Sequence, residues 1–171
     1  NMNWFFLTVG YSGLAPKAPG TVGTLVSLPF GVLILAYFGP QTLFLAALLL
    51  TLAGVKAVNK YQETSKTHDD GRIVIDELVG MWLALSIAPG VFTPLNELLV
   101  IYNGMLIQIV LSFVLFRYFD IKKPSIIGRI DREAPGGYGV MFDDVLAGIA
   151  AGIVTAIIWQ GILISGLIEY L

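Results

Sequence analysis

The chain reads APGTVGTLVSLPFGVLILAYFGPQTLFLAALLLTLAGV from Ala18 to Val55, and this stretch contains no Asp, Glu, Lys or Arg. At 38 residues it is about twice as long as the ~20 residues that one helix needs to cross the ~30 Å hydrocarbon core of a bilayer. Gly39-Pro40 lies near its middle and is a turn signal. The stretch therefore predicts two spanning helices joined by a tight turn.

Three further charge-free runs follow, and each is about as long as one span. They cover residues 78–96, 98–116 and 145–168, with lengths of 19, 19 and 24 residues. The composition agrees, because 56% of the 171 residues are hydrophobic and only 13% are charged, about half the charge of an average soluble domain. We therefore predict a single all-α membrane domain over residues 1–171. Its spans, about five in number, are expected near residues 21–38, 41–58, 78–96, 98–117 and 145–168.

The basic residues predict how this helical bundle is oriented. All ten Lys and Arg residues lie before the first span, at or beyond the end of the second, or after the fourth. Because cytoplasmic loops are enriched in Lys and Arg, the N-terminus and both long loops are expected in the cytoplasm. The net charge of -2 provides no overall cationic field for nucleic acid, so no nucleic-acid partner is expected.

Ten of the twelve acidic residues are predicted on the same side of the membrane, and several lie where spans begin. Asp76-Glu77 precedes the third span, Asp143-Asp144 precedes the fifth, and Asp120 and Asp131 lie in the connection between the fourth and the fifth. One carboxylate of each pair can act as an N-cap, but a cap does not need two. Asp120 follows Arg117 at a helix C-terminus, where the helix dipole disfavours an anion. Either Arg117 or a metal must offset its charge.

Small residues predict that the third and fifth spans pack closely. They recur every four positions in both, as Gly80, Ala84 and Ala88 and as Gly148, Gly152 and Ala156. This spacing lets membrane helices approach each other and would bring the two acidic pairs together. Carboxylates that close repel one another, which favours a bound cation.

The available ligands predict a hard cation. The chain has no cysteine and one histidine, so oxygen ligands dominate, and these select Mg²⁺ or Mn²⁺ over zinc or copper. The candidate ligands are Asp76, Glu77, Asp120, Asp131, Asp143 and Asp144.

Glycine-rich segments precede the first and fifth spans and predict an anion site, although both can equally be turns. Residues 19–24 and 136–139 lie at predicted helix N-termini, where free backbone N–H groups bind phosphate. The candidate substrate-binding residues are Thr21, Arg117, Lys123, Arg132, Gly136 and Gly137. Carboxylates, a hard metal and phosphate-binding glycines in a membrane protein indicate phosphoryl chemistry on a lipid. A small transporter is the alternative, but transporters place ionisable residues at mid-membrane.

Five sequence blocks, taken in order, resemble the phosphatidylglycerophosphatase A family. They are PGTVGT at 19–24, HD at 68–69, IVIDELVGMW at 73–82, FRYFDIKKP at 116–124, and Asp131 followed by GGYGVMFDDVLAG at 136–148. The resemblance implies an all-helical, Mg²⁺-dependent phosphatase that removes the terminal phosphate of phosphatidylglycerophosphate in the bacterial cytoplasmic (inner) membrane. Ser125-Ile126-Ile127 stands where the family commonly has Trp-Pro-Ile, so another lipid monophosphate, such as phosphatidic acid, stays an alternative substrate.

The matched residues also suggest catalytic roles at a site that faces the cytoplasm. Asp76 or Asp144 is expected to take the proton of the attacking water, and Asp120 belongs to the same carboxylate set. His68, beside Asp69, is a candidate general acid for the leaving alkoxide. A solvated loop histidine is the alternative for His68.

Overall fold

The computed structural model describes residues 2–67, 70–88, 95 and 104–167 of the chain. Within these residues all the regular structure is helical, so the predicted all-α class is confirmed. The helices in chain order are α1 (Met2–Leu7), α2 (Pro19–Phe38), α3 (Pro40–Ser65), α4 (Ile75–Ile87), α5 (Met105–Lys122), α6 (Ile126–Glu133) and α7 (Gly136–Ser165), with a short 3-10 helix at Ser12–Leu14.

Helix α4 lies at the centre of the bundle. Every residue from Ile75 to Leu85 is buried except Asp76, which is half-buried. A helix that is apolar on all sides belongs inside a bundle, and α4 packs against α2, α3, α5 and, most extensively, α7. Asp76 and Glu77 lie in the first turn of α4, so the centre of the bundle carries two carboxylates at one end.

Three of the described helices, α2, α3 and α7, are long and apolar enough to cross a membrane. Their outward side chains are apolar as well, since Phe38, Leu49 and Ile164 are 70%, 68% and 85% exposed. Such surfaces are stable against lipid rather than water, so the chain is a membrane protein. The first, second and fifth predicted spans fall on these helices. The total of about five spans and the cytoplasmic N-terminus stay predictions.

Two predicted spans differ from the observed helices. The third is predicted to reach residue 96, whereas α4 ends at Ile87. Ala88 has an extended backbone (φ −54°, ψ 131°) because Pro89 follows it, and a residue before proline avoids the helical conformation. The fourth span is predicted to end at residue 117, but α5 continues to Lys122, so Asp120 lies in a helix and not in a loop. The remainders of both predicted spans, 89–94, 96 and 98–103, lie outside the described residues.

Helix α7 begins at Gly136 and not, as predicted, at residue 145. The glycine-rich stretch is helical because it packs tightly against α3, where a Cβ on Gly137 would lie 2.5 Å from the carbonyl oxygen of Val55. Asp143 and Asp144 therefore lie about two turns inside α7. The N-cap interpretation of Asp143 is wrong, since Pro135 occupies the N-cap position.

The turn between α2 and α3 depends on Gly39. This residue has φ 94° and ψ 167°, a conformation that is essentially confined to glycine, and Pro40 begins α3 directly after it. The predicted helical hairpin is thus confirmed. We expect Gly39→Ala to lower the free energy of unfolding by about 1–3 kcal/mol, measured by unfolding of the purified protein in detergent. An unchanged unfolding transition would contradict this requirement for glycine.

Candidate active site

A cavity of about 180 Å³ opens at the end of the bundle where α4 begins. Its lining is strongly acidic and contains Asp70, Asp76, Glu77, Asp120, Asp143 and Asp144. Five of the six carboxylates predicted as metal ligands thus face one cavity, although they come from three helices. Such a concentration of like charges within a bundle is unfavourable unless cations accompany it.

Three of these carboxylates converge most closely. Glu77 of α4, Asp120 of α5 and Asp144 of α7 have oxygen atoms that all lie within 4.8 Å of one another. We call these three residues the carboxylate triad. Glu77 and Asp144 are 8% and 3% exposed, so solvent does little to screen their repulsion.

Close packing of α4 on α7 brings two members of the triad, Glu77 and Asp144, together. A Cβ on Gly148 would overlap the carbonyl oxygen of Gly80, and one on Gly152 would lie 3.0 Å from the carbonyl oxygen of Ala84. The two backbones are therefore in direct contact, as small residues at this spacing allow. The predicted contact between these two helices is confirmed.

Arg117 supplies positive charge beside the triad. Its Nη1 pairs with Glu77 Oε2 and lies 2.8 Å from Asp120 Oδ2. Of the two predicted partners for Asp120, an arginine or a metal, the structure thus shows the arginine. The Nε of Arg117 is buried and has no hydrogen-bond partner among the described residues, which leaves a donor for an anionic ligand.

Gly20 and Thr24 of α2 complete the surroundings of Glu77. The Thr24 hydroxyl oxygen lies 3.0 Å from Glu77 Oε2 and 2.8 Å from the Gly20 carbonyl oxygen. Because the hydroxyl has one proton, it donates to one of these two acceptors at a time. A Cβ on Gly20 would overlap Glu77 Oε1. Sequence reasoning selected Thr21 from this segment, yet the cavity is lined by Gly20. The spacing of four residues places Gly20 and Thr24 on one face of α2, but no signal in the sequence links that face to Glu77.

Lys123 links the outer edge of the site to the cavity. Its Nζ donates to Asp131 Oδ1 and to Asp143 Oδ2, both at 2.6 Å. Burial disfavours the charged ammonium, but these two carboxylates outweigh it and raise the pKa of Lys123 well above its usual value. Asp131 is exposed on α6 and lies at the edge of the site. Asp143 Oδ1 is buried without a hydrogen-bond partner among the described residues.

Asp70 also lines the cavity, although sequence reasoning did not select it. It accepts hydrogen bonds from Arg72 Nε (2.8 Å), Arg72 Nη2 (2.6 Å) and the Tyr61 hydroxyl (2.5 Å). The Arg72 guanidinium, helped by Tyr61, holds the pKa of Asp70 well below its usual value. Trp4 stacks on Tyr61 with ring centres 5.2 Å apart, and Arg72 lies 5.0 Å from the Trp4 ring centre. This cluster fixes the cavity wall that precedes α4.

The other predicted site residues lie farther out or are already bonded. Arg132 is exposed on α6. The Gly137 amide, a predicted phosphate ligand, donates to Asn59 Oδ1 at 2.7 Å, and Gly136 lies beside it. His68 lies outside the described residues. The roles assigned to these residues and to Thr21 stay predictions.

The carboxylate triad has the chemistry and spacing to hold a divalent cation. Mg²⁺ binds oxygen at about 2.0–2.1 Å, so two ligands on one ion are at most ~4.2 Å apart. Adjacent ligands of an octahedral ion are about 3 Å apart, so oxygens that lie within 4.8 Å of one another need to close by at most about 2 Å to reach that geometry. The unpartnered Asp143 Oδ1 adds another anionic oxygen at the same cavity.

The fold and the site define a helical membrane protein whose buried carboxylates can hold a metal ion beside cations that can bind phosphate. The sequence profile of the family described as Phosphatidylglycerophosphatase A matches residues 5–159. The chain belongs to this family, and its enzyme class is therefore that of a phosphatase.

Individual relatives agree with this assignment. The chain is 38% identical to phosphatidylglycerophosphatase A of Escherichia coli over 153 residues, covering 88% of this chain and 80% of that protein. It is 37% identical to phosphatidylglycerophosphatase A of Haemophilus influenzae over 149 residues, covering 86% and 83%. A Bacteroides thetaiotaomicron protein named putative phosphatidylinositol-3-phosphatase is 36% identical over 156 residues, covering 85% and 86%. No solved structure matches the chain.

Proposed function

We propose that this protein hydrolyses phosphatidylglycerophosphate to phosphatidylglycerol and inorganic phosphate. The observation that carries the proposal is the convergence of Glu77, Asp120 and Asp144 within 4.8 Å beside Arg117. A cation bound by the carboxylates and a phosphate bound by arginine together balance the buried charge. Family membership and two relatives of the same name support this substrate.

We propose Mg²⁺ as the cofactor, held by Glu77, Asp120 and Asp144, with Asp143 close by. When bound, the ion supplies Lewis-acid stabilisation of the phosphoryl oxygens. The choice of Mg²⁺ is supported by the donor set, since anionic oxygens are the ligands that hard cations prefer. Arg117 and Lys123 are proposed to bind the remaining phosphate oxygens, where charge accumulates in phosphoryl transfer.

Asp76 is the proposed base for the attacking water. It lines the cavity, and its Oδ1 accepts the Glu77 N–H at 2.9 Å, which leaves Oδ2 to take a proton. The water oxygen forms a bond to phosphorus, and the bond from phosphorus to the glycerol oxygen breaks. His68 is proposed to give the leaving alkoxide its proton.

The proposed location is the bacterial cytoplasmic (inner) membrane, with about five spans and with the site facing the cytoplasm. The distribution of all ten basic residues supports this orientation. The basic residues around the site, Arg72, Arg117 and Lys123, lie at the same end of the bundle as the acidic cavity. A phospholipid in the inner leaflet is therefore the proposed substrate.

A second candidate substrate is a phosphatidylinositol phosphate. The Bacteroides thetaiotaomicron relative carries the name of such a phosphatase and matches this chain nearly as well as the other two. Ser125-Ile126-Ile127 stands in place of the usual Trp-Pro-Ile: Ser125 lies between α5 and α6, and the two isoleucines begin α6. Ser125 and Ile126 are exposed, so we propose that a change there affects contacts to a lipid head group rather than the carboxylates.

The decisive assay compares phosphate release from three lipids by the purified full chain in mixed micelles. Phosphatidylglycerophosphate is expected to react fastest, ahead of phosphatidylinositol phosphate and phosphatidic acid. Removing the cation with EDTA is expected to lower the rate by roughly 10³-fold or more, and Mg²⁺ to restore it. Full activity in EDTA would overturn the metal role. Preference for either competing lipid would overturn the substrate assignment and leave the phosphatase class intact.

A further inference from the structure

Asn59 of α3 caps the beginning of α7. Its Oδ1 accepts a hydrogen bond from the Gly137 N–H at 2.7 Å. Helix α7 has no capping side chain of its own, because Pro135 occupies its N-cap position. The first N–H groups of a helix have no partner within that helix. Asn59 thus supplies from another helix the oxygen that an Asn or Ser supplies at an ordinary N-cap.

The surroundings of this hydrogen bond leave little room for movement. A Cβ on Gly136 would lie 2.7 Å from Asn59 Oδ1, and one on Gly137 would lie 3.1 Å from the same atom. One turn earlier on α3, a Cβ on Gly54 would lie 2.6 Å from Met141 Cε of α7. The two helices are therefore in contact at the hydrogen bond and again about one turn farther along α7. An axial shift of α7 relative to α3 would therefore break the bond and disturb this packing.

The same helix carries two carboxylates of the cavity. Asp143 and Asp144 follow Gly137 at a distance of about 10 Å along the helix axis, and a helix transmits an axial shift over so short a length. The triad oxygens lie within 4.8 Å of one another and must close by at most about 2 Å on Mg²⁺. A shift on the order of 1 Å at the beginning of α7 is comparable to the movement that metal binding requires, and it exceeds the precision with which metal ligands must be held.

We infer that Asn59 is a positioning residue that fixes α7 along its axis and thereby places Asp144 at the carboxylate triad. This inference rests on the proposed metal-assisted function. It also gives Gly136 and Gly137 a different role from the predicted one: they are glycines because α3 and Asn59 approach them, and the Gly137 amide anchors a helix.

Three variants of the full chain in detergent test this role. Asn59→Leu removes the acceptor at nearly constant size, and Asn59→Asp keeps it. Thr51→Val removes a buried hydroxyl of α3 that, among the described residues, bonds within its own helix, to Ala47. The measurements are the dissociation constant of Mn²⁺ by electron paramagnetic resonance and the steady-state hydrolysis of phosphatidylglycerophosphate with Mg²⁺.

Asn59→Leu is expected to raise the Mn²⁺ dissociation constant roughly tenfold and to lower kcat while KM for the lipid stays unchanged. Asn59→Asp and Thr51→Val are expected to bind Mn²⁺ like the wild type. A folded Asn59→Leu protein with wild-type Mn²⁺ affinity would overturn the inference even if it unfolds more easily. So would an Asn59→Asp protein that behaves like Asn59→Leu, or a wild type that binds no Mn²⁺. If the Mn²⁺ pattern holds but phosphatidylglycerophosphate is not hydrolysed, the inference stands and the proposed function fails.

Discussion

Replacing Asp144 by Asn is expected to lower kcat/KM for phosphate release by roughly 10³-fold or more. Asp144 is 3% exposed, and its carboxylate lies within 4.8 Å of those of Glu77 and Asp120. An amide keeps the size of the side chain but removes an anionic ligand, and water has little access to replace it. The measurement is the initial rate of phosphate release in mixed micelles at saturating Mg²⁺.

The matched control is Glu133→Gln, the same change from carboxylate to amide at the surface. The Glu133 side chain is 62% exposed and pairs with Arg129 within α6 at 2.9 Å. Exposed ion pairs of this kind contribute little to stability, so the activity of the Glu133→Gln protein is expected to equal that of the wild type. An Asp144→Asn protein that keeps more than a tenth of wild-type activity would contradict the role of Asp144 in the triad, provided that both variants unfold at the same temperature.

The hairpin of α2 and α3 could be predicted because its signals are local. An uncharged stretch long enough for two spans and a Gly39-Pro40 turn determine it without reference to the rest of the chain. The end of α4 had a local signal as well, in Pro89, but the uncharged run continues past it. Hydropathy alone does not report where a helix stops.

The start of α7 could not be predicted from its own residues. A run such as Gly136-Gly137-Tyr138-Gly139 fits a phosphate-binding turn, an ordinary turn or a tightly packed helix equally well. Tertiary contact decides among them, since Val55 and Asn59 approach the helix too closely for any side chain there. The predicted position of Asp143 and Asp144 at a helix terminus was wrong for this reason.

The carboxylates of the site were predictable, whereas their partners were not. Paired acids beside uncharged runs are conspicuous in the sequence, and the small residues behind them indicated which helices meet. Thr24 lies 53 residues from Glu77, and Asn59 lies 78 residues from Gly137. Both are common polar residues within helices, so only the packing of α2 on α4 and of α3 on α7 reveals what they contact.

Disrupting the contact of α4 with α7 is expected to have the second large effect, because this contact supports both the stability of the fold and the geometry of the site. A Cβ at position 148 would overlap the carbonyl oxygen of Gly80 and lie 2.9 Å from its Cα. Backbone atoms cannot rotate away as a side chain can, so the helices would have to separate. Glu77 lies one turn before Gly80, and Asp144 one turn before Gly148. Separation of the helices would therefore also pull the carboxylate triad apart.

Gly148→Ala is accordingly expected to lower the free energy of unfolding by about 1–3 kcal/mol, the usual cost of overpacking, and to lower the rate of phosphate release. Gly161→Ala makes the same change on the same helix, at an exposed position where a Cβ has nothing within 4 Å. At this position alanine replaces glycine, which is a poor helix former, and creates no clash. The free energy of unfolding should therefore stay the same or rise by up to ~1 kcal/mol. Unfolding in detergent and the rate of phosphate release measure both variants. Equal stability of the two would show that α4 and α7 are not in backbone contact, whereas a destabilised Gly148→Ala protein with full activity would separate this contact from the site.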